Sequence, residues 1–241
     1  MKKKKLVISS SLMPFTFHNK EAANVIVHQI IRNLIFEKKF DIYFCLISHN
    51  HPESNFYCRD ESRNLEKLGV TFLPPLIVPK YKNRSLLKKI FYLISGSPEK
   101  IFAGSEVQSK VVDHFGFKPD LLLAIWSELA THACSKVECK KFNYSGNSQH
   151  EVYAAQYELS ILRKQLRNKR IGLIKHLNFN LRHFFIKYAY IYSLKKYDLV
   201  WNVASNNSLS LKKEGVKAKY LQNMWPTSKF EKEKYINNKD D

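Results

Sequence analysis

With 241 residues, 44% of them apolar, and only 7 glycines and 8 prolines, the chain can bury one large core, which excludes a disordered or low-complexity protein. A formal net charge of +19 favours anionic partners (phosphorylated ligands, an acidic lipid surface or nucleic acid) and says nothing about the fold. The 4 cysteines, Cys45, Cys58, Cys134 and Cys139, form no C-x-x-C pair, so no zinc or redox motif is signalled and a reducing, cytosolic compartment is expected.

Only Leu6, Val7 and Ile8 follow the basic start Lys2–Lys5, too short an apolar stretch for a signal-peptide core. No window approaches the roughly 18 apolar residues of a spanning helix, so a protein neither secreted nor integral to a membrane is expected. Lys5–Ser11 is a β-prone run entering a loop, and Ala22–Phe36 then switches to helical spacing. Asp41–Ser48 reads as a second buried strand. A short helix is expected over Asn64–Leu68, stopped by Gly69, and a third strand over Val70–Leu73, closed by Pro74 and Pro75. Two helices fit 84–115, interrupted at Gly96-Ser-Pro98.

Asp120–Trp126 is the clearest strand, with Ser127 placed to cap a helix over Glu128–Val137. Lys141–Ser145 makes a fifth strand and leads into the loop Gly146–His150. One or two long helices fill 151–195, broken near Gly172 or Asn178–Asn180. Asp198–Val203, a helix over Asn207–Glu214, and Ala218–Gln222 complete the alternation. The fold class is therefore α/β: a single Rossmann-like, doubly wound parallel sheet of about seven strands with helices on both faces, spanning 1–226 and followed by a polar tail, 227–241. Ligands of such sheets bind outside the carboxyl ends of the strands, which singles out the loops 9–20, 48–56, 126–130 and 145–151.

Three local patterns carry a resemblance. One is the opening strand, long loop and helix of Ser9–Asn24. Another is the pair Pro119–Trp126 and Lys141-Phe-Asn-Tyr-Ser-Gly-Asn147. The third is Tyr197–Ser205, then Leu211-Lys-Lys-Glu-Gly-Val216, then Tyr220-Leu-Gln-Asn-Met-Trp-Pro226. In pattern and order they resemble the N-terminal, acceptor-side domain of GT-B glycosyltransferases of the family 4 type. The resemblance implies binding of a saccharide or lipid-linked acceptor during sugar transfer from a nucleotide-sugar donor. It also implies a second, donor-binding half, to be supplied by a partner chain or lost in a truncated relic. No metal or other cofactor is implied. The first loop departs from the pattern: Leu12–Asn19 contains no glycine to let backbone approach a phosphate.

The resemblance implies that His150, at the carboxyl edge after the fifth strand, orients an acceptor or stabilises developing charge. Position alone also fits a helix-start residue. Asn147 shares that loop and is assigned with it to the acceptor. His18 and Asn19 lie in the first loop, where they could meet an acceptor hydroxyl or simply be exposed polar residues. Ser127 and Glu128, just past the strongest strand, could bind sugar hydroxyls or accept a proton. A helix N-cap followed by a dipole-compatible carboxylate explains the same pair without a ligand, and is the simpler reading. The sequence contains no H-E-x-x-H, G-x-S-x-G or P-loop motif.

From Leu159 to Tyr197 there is no acidic residue. Arg163, Lys164, Arg167, Lys169, Arg170 and Lys175 fall here among leucines, isoleucines and aromatics, a composition suited to an anionic membrane surface. Phe184–Leu194 is apolar enough to pack inside instead. The rival to an acceptor domain is thus a non-catalytic basic module on an anionic membrane or RNA. Nucleic acid is the weaker partner, because no RNA-recognition signature appears. Peripheral attachment at the inner face of a membrane is the corresponding expectation for location.

Overall fold

The computed structural model describes residues 3–14, 22–49, 58–78, 86–97, 100–103, 105–146, 149–167 and 172–222. Its centre is a sheet in which every pairing is parallel. The strands are β1 (Lys4–Ser10), β2 (Phe40–Ser48), β3 (Val70–Phe72), β4 (Leu76–Ile77), β5 (Leu121–Ile125), β6 (Lys140–Ser145), β7 (Leu199–Asn202) and β8 (Ala218–Tyr220). They are ordered β3-β2-β1-β5-β6-β7-β8, with β4 paired to the far end of β2. The chain winds outward from β1 to β3, crosses back, and winds outward again from β5 to β8. Strand order therefore reverses between β1 and β5, the kind of switch point beside which such sheets bind ligands.

Alternating residues of each strand feed two cores, as the two-residue repeat requires. Leu6 and Ile8 pack on one face with Ile26, Ile30 and Ile31 of α1 (Ala22–Phe36) and Leu65 of α2 (Cys58–Lys67). Val7 packs on the other, with Leu122, Ala124 and Val200 and with residues of four helices. Of these, α5 (Ser105–Phe115) contributes Val111, α6 (Glu128–Cys134) Ala133, α8 (Leu173–Leu194) Leu194, and α9 (Ser205–Lys213) Leu211. Cys45 and Cys134 are buried free thiols, pushed up by burial to about 12 and so inert. At the amino ends, Asp120 accepts from the Lys5 amide at 2.8 Å and Asp198 from the Lys141 amide at 2.7 Å, which pins the register of the central strands.

The expected strands are all present, and β4 is an eighth. It follows Pro74 and Pro75, where the third strand was expected to end, and its two residues extend the pairing of β2. Helix α2 starts at Cys58 rather than near Asn64. Three helices occupy the stretch expected to hold two: α3 (Leu86–Ile94), α4 (Lys100–Ala103) and α5. The long helical region divides at Gly172, between α7 (Gln149–Gln165) and α8, and runs unbroken through Asn178–Asn180. Helix α8 packs Phe185, Ile186, Ala189 and Tyr190 inward as expected, but leaves Phe184 and Tyr188 exposed.

Candidate functional site

A cavity of about 460 Å³ opens at the carboxyl ends of β5, β6 and β7. Its lining is Trp126, Ser127, Glu128, Thr131, Ser145, Gly146, Tyr190 and Val203. Two aromatic rings, three aliphatic hydroxyls and one carboxylate converge there, and among the described lining residues there is no lysine or arginine.

The geometry follows from how the strands end. Parallel register sets Ile125 opposite Tyr144 and Ser145 opposite Asn202, so three strands finish side by side. Trp126 leaves β5 at φ +47°, a backbone region rare for a bulky side chain, while its amide donates to the Tyr144 carbonyl at 2.8 Å. Its indole lies against Gly146, and its Nε1 is buried with no hydrogen-bond partner among the described residues. Asn202 ties the far side together. Its amide nitrogen donates to Ser145 Oγ at 3.0 Å and to the Gly146 carbonyl at 2.9 Å, and its Oδ1 accepts from the Ala204 amide.

Ser127 caps α6 in this structure. Its Oγ accepts from the Ala130 amide at 3.0 Å, and its carbonyl accepts from Thr131 Oγ1 at 2.7 Å. The capping expectation therefore holds, and the same residue still lines the cavity. Glu128 also lines it, half-buried. Thr131 is held in turn by Asn143, whose Nδ2 donates to Thr131 Oγ1 at 2.8 Å.

His150 sits at the start of α7, buried, with its ring 6.2 Å from Tyr190 and 5.8 Å from His183. It is not part of the cavity lining and meets it through Tyr190, which is. Burial lowers its pKa from the usual 6.5 to about 4, with His183 and Lys187 adding to the fall and Glu214 opposing it. The ring is therefore neutral at ordinary pH, and its buried Nδ1 has no hydrogen-bond partner among the described residues. A neutral imidazole can position a group by accepting a hydrogen bond; it cannot offer the positive charge that stabilises an oxyanion. Another buried histidine, His132 of α6, is held by Ser193 Oγ at 2.8 Å and lowered by burial to about 3, which suits a packing role.

His18, Asn19 and Asn147 lie outside the described residues, as do Lys169 and Arg170. Arg163, Arg167 and Lys175 are exposed and Lys164 is half-buried, at the end of α7 and the start of α8, away from the cavity. Trp126 and Ser145 fall within the loops singled out from sequence but were not named as site residues, and Thr131, Tyr190 and Asn202 lie outside those loops. Trp126 ends the strongest strand and could have been named, by the strand-end rule. Tyr190 reaches the site from a distant helix and carries no local signal.

Fold and cavity together define a Rossmann-like α/β protein with a ligand-sized opening at its strand ends. No protein-family model matches the chain, and no curated protein sequence matches it. Among solved structures it is similar to UGT89C1 of Arabidopsis thaliana complexed with UDP, at 10% identity and a TM-score of 0.47, covering 94% of this chain and 50% of that one. A UDP-glucosyltransferase of Polygonum tinctorium capable of glucosylating indoxyl matches at 9% identity and a TM-score of 0.42, covering 98% and 56%. The calicheamicin glycosyltransferase CalG4 matches at 9% identity and 0.41, covering 92% and 53%. The chain spans about half the length of these glycosyltransferases.

Proposed function

We propose that this chain is the acceptor-binding half of a glycosyltransferase, holding a saccharide or the sugar portion of a lipid-linked acceptor at the carboxyl ends of β5–β7. The lining of the cavity carries the reading. Apolar ring faces of Trp126 and Tyr190 suit the C–H faces of a sugar, and Ser127, Thr131, Ser145 and Glu128 suit its hydroxyls. A nucleoside diphosphate calls for Lys, Arg or a glycine-rich backbone cradle, and among the described lining residues Glu128 is the one that carries charge. The donor is accordingly assigned to a second half, in a partner chain or elsewhere, as the sequence resemblance implies.

In this reading Glu128 takes the acceptor hydroxyl proton or binds a neighbouring hydroxyl, and Tyr190 fixes the sugar plane. His150 orients the ring of Tyr190 and the α7 end of the loop rather than carrying charge. Probing an array of immobilised saccharides with the full chain tests the proposal. Binding to a defined saccharide class, lost in Trp126→Ala and in Glu128→Gln, is the expected result. Absence of saccharide binding by a folded chain would sink it.

A further inference from the structure

Helix α3 turns its larger apolar face to solvent. Leu86, Leu87, Ile90, Phe91 and Ile94 recur at three- and four-residue spacing, which places them on one face, yet none of the helix is buried. Leu87 is 79% exposed and Ile94 82%. The side toward the protein is mixed: Lys89, Tyr92 and Leu93 are half-buried, and Lys89 Nζ lies 5.6 Å from the centre of the Phe185 ring of α8. The turn after α3 is tied to the same helix, where Tyr192 donates its hydroxyl hydrogen to the Gly96 carbonyl.

Helix α8 repeats the arrangement. Opposite its buried Ile186, Ala189 and Ser193 runs a second apolar stripe, from Leu173, Ile174 and Leu177 through Leu181 to Phe184 and Tyr188, all exposed. At the far end of this stripe Phe184, Tyr188 and Tyr192 border a shallow cavity of about 240 Å³ that also holds Lys187, Lys195 and Glu214. Lys187 bonds Glu214 at 2.6 Å, so two lysines there face one carboxylate. Exposed apolar area on this scale marks an interaction surface.

We infer that the outward faces of α3 and α8 form a docking surface for an anionic lipid bilayer. Charge selects this occupant. The sequence holds no acid from Lys67 to Pro98 or from Leu159 to Tyr197, the two stretches within which α3 and α8 fall. A net charge of +19 opposes pairing with a second copy of the same chain and favours an acidic surface. Aromatic rings beside lysines match the headgroup level of a bilayer, where Tyr keeps its hydroxyl wet and Lys reaches phosphate. Arg163, Arg167 and Lys175, exposed around the α7–α8 turn, add to the same field. Among the described residues no helix is long and apolar enough to cross a membrane, so attachment through these helices is interfacial. The inference stands apart from the saccharide reading and survives its failure.

The test is co-sedimentation of the full chain with phosphatidylcholine vesicles, plain or containing roughly 30% phosphatidylglycerol, at low and moderate salt. Binding only to the anionic vesicles is expected, weakened but not abolished by salt because apolar insertion is not screened. The combined substitution L87S/F91S/I94S should weaken it by about tenfold or more while leaving the melting temperature in place, since these side chains are exposed. In a separate variant, Ile94→Trp, the new indole should shift to the blue and be quenched by brominated lipid when anionic vesicles are added. No anionic vesicle binding overturns the inference, as does undiminished binding by the triple variant. So does a dimer in solution that the triple variant dissolves, or binding of a generic RNA in place of vesicles.

Discussion

The indole of Trp126 lies against the Cα of Gly146 with no room to spare: a methyl group on Gly146 would stand 3.3 Å from Cδ2, Cε2 and Cε3 of the ring. This contact joins the ends of β5 and β6 and forms one wall of the cavity. Gly146→Ala must push the indole aside. A loss of about 1 kcal/mol in urea unfolding is expected, with a changed tryptophan emission. Unaltered emission and stability would show that the wall yields freely.

Ser127 separates a structural role from a binding role. Removing its hydroxyl in Ser127→Ala frees the Ala130 amide and should cost about 1 kcal/mol, whereas Ser127→Asp keeps a capping oxygen and should restore most of it. Saccharide affinity follows stability across the pair if Ser127 only caps. A variant that is restored in stability but lost in binding assigns the hydroxyl to the ligand.

Asn202 is fully buried and makes three hydrogen bonds, two across to the end of β6 and one to the Ala204 amide just past β7. Asn202→Ala leaves the Gly146 carbonyl and the Ala204 amide without it, at a cost of about 2–3 kcal/mol. Amide exchange at Gly146 and Ala204 should accelerate more than exchange in β1. Equal acceleration everywhere would mean that the loop is held by other contacts.

His150 and His132 should contribute to the acid limb of stability. Both pKa values are depressed by burial, to about 4 and about 3 from the usual 6.5, so the unfolded chain binds protons that the folded chain refuses. Their contribution is full above the unfolded value and is lost as pH falls from about 6.5 toward these folded values. The urea midpoint should fall over that window, less steeply in His150→Gln. An unchanged slope in the variant would show that His150 is not buried as described.

Much of the fold is legible in the residues. Continuous apolar runs such as Asp120–Trp126 mark strands buried on both faces, and Gly69, at φ +94°, stops α2 where its position suggests. Strand β4 is illegible because two residues carry no period. Cys58–Arg63 is too polar to show the start of α2, whose buried anchor is Leu65. Ser127 declares itself as a cap, but Trp126 does not declare a left-handed backbone, since a non-glycine residue gives no sign of one. Tyr190 and Asn202 join the site only through packing of distant elements. The orientation of α3 is illegible because apolar side chains occur all round it, and the half-burial of Lys89, Tyr92 and Leu93 shows which way the helix is turned.

The central claim is that this half takes a neutral saccharide and leaves the nucleotide to another half. Thermal unfolding of the full chain and of Trp126→Ala with oligosaccharides, UDP-sugars and GDP-sugars tests it directly. A saccharide at a hundredfold excess over its dissociation constant should add about 2.7 kcal/mol and raise the midpoint by about 5 °C or more, in the unsubstituted chain alone. A rise with a sugar nucleotide, abolished by Trp126→Ala, would place the donor in this cavity and contradict the account.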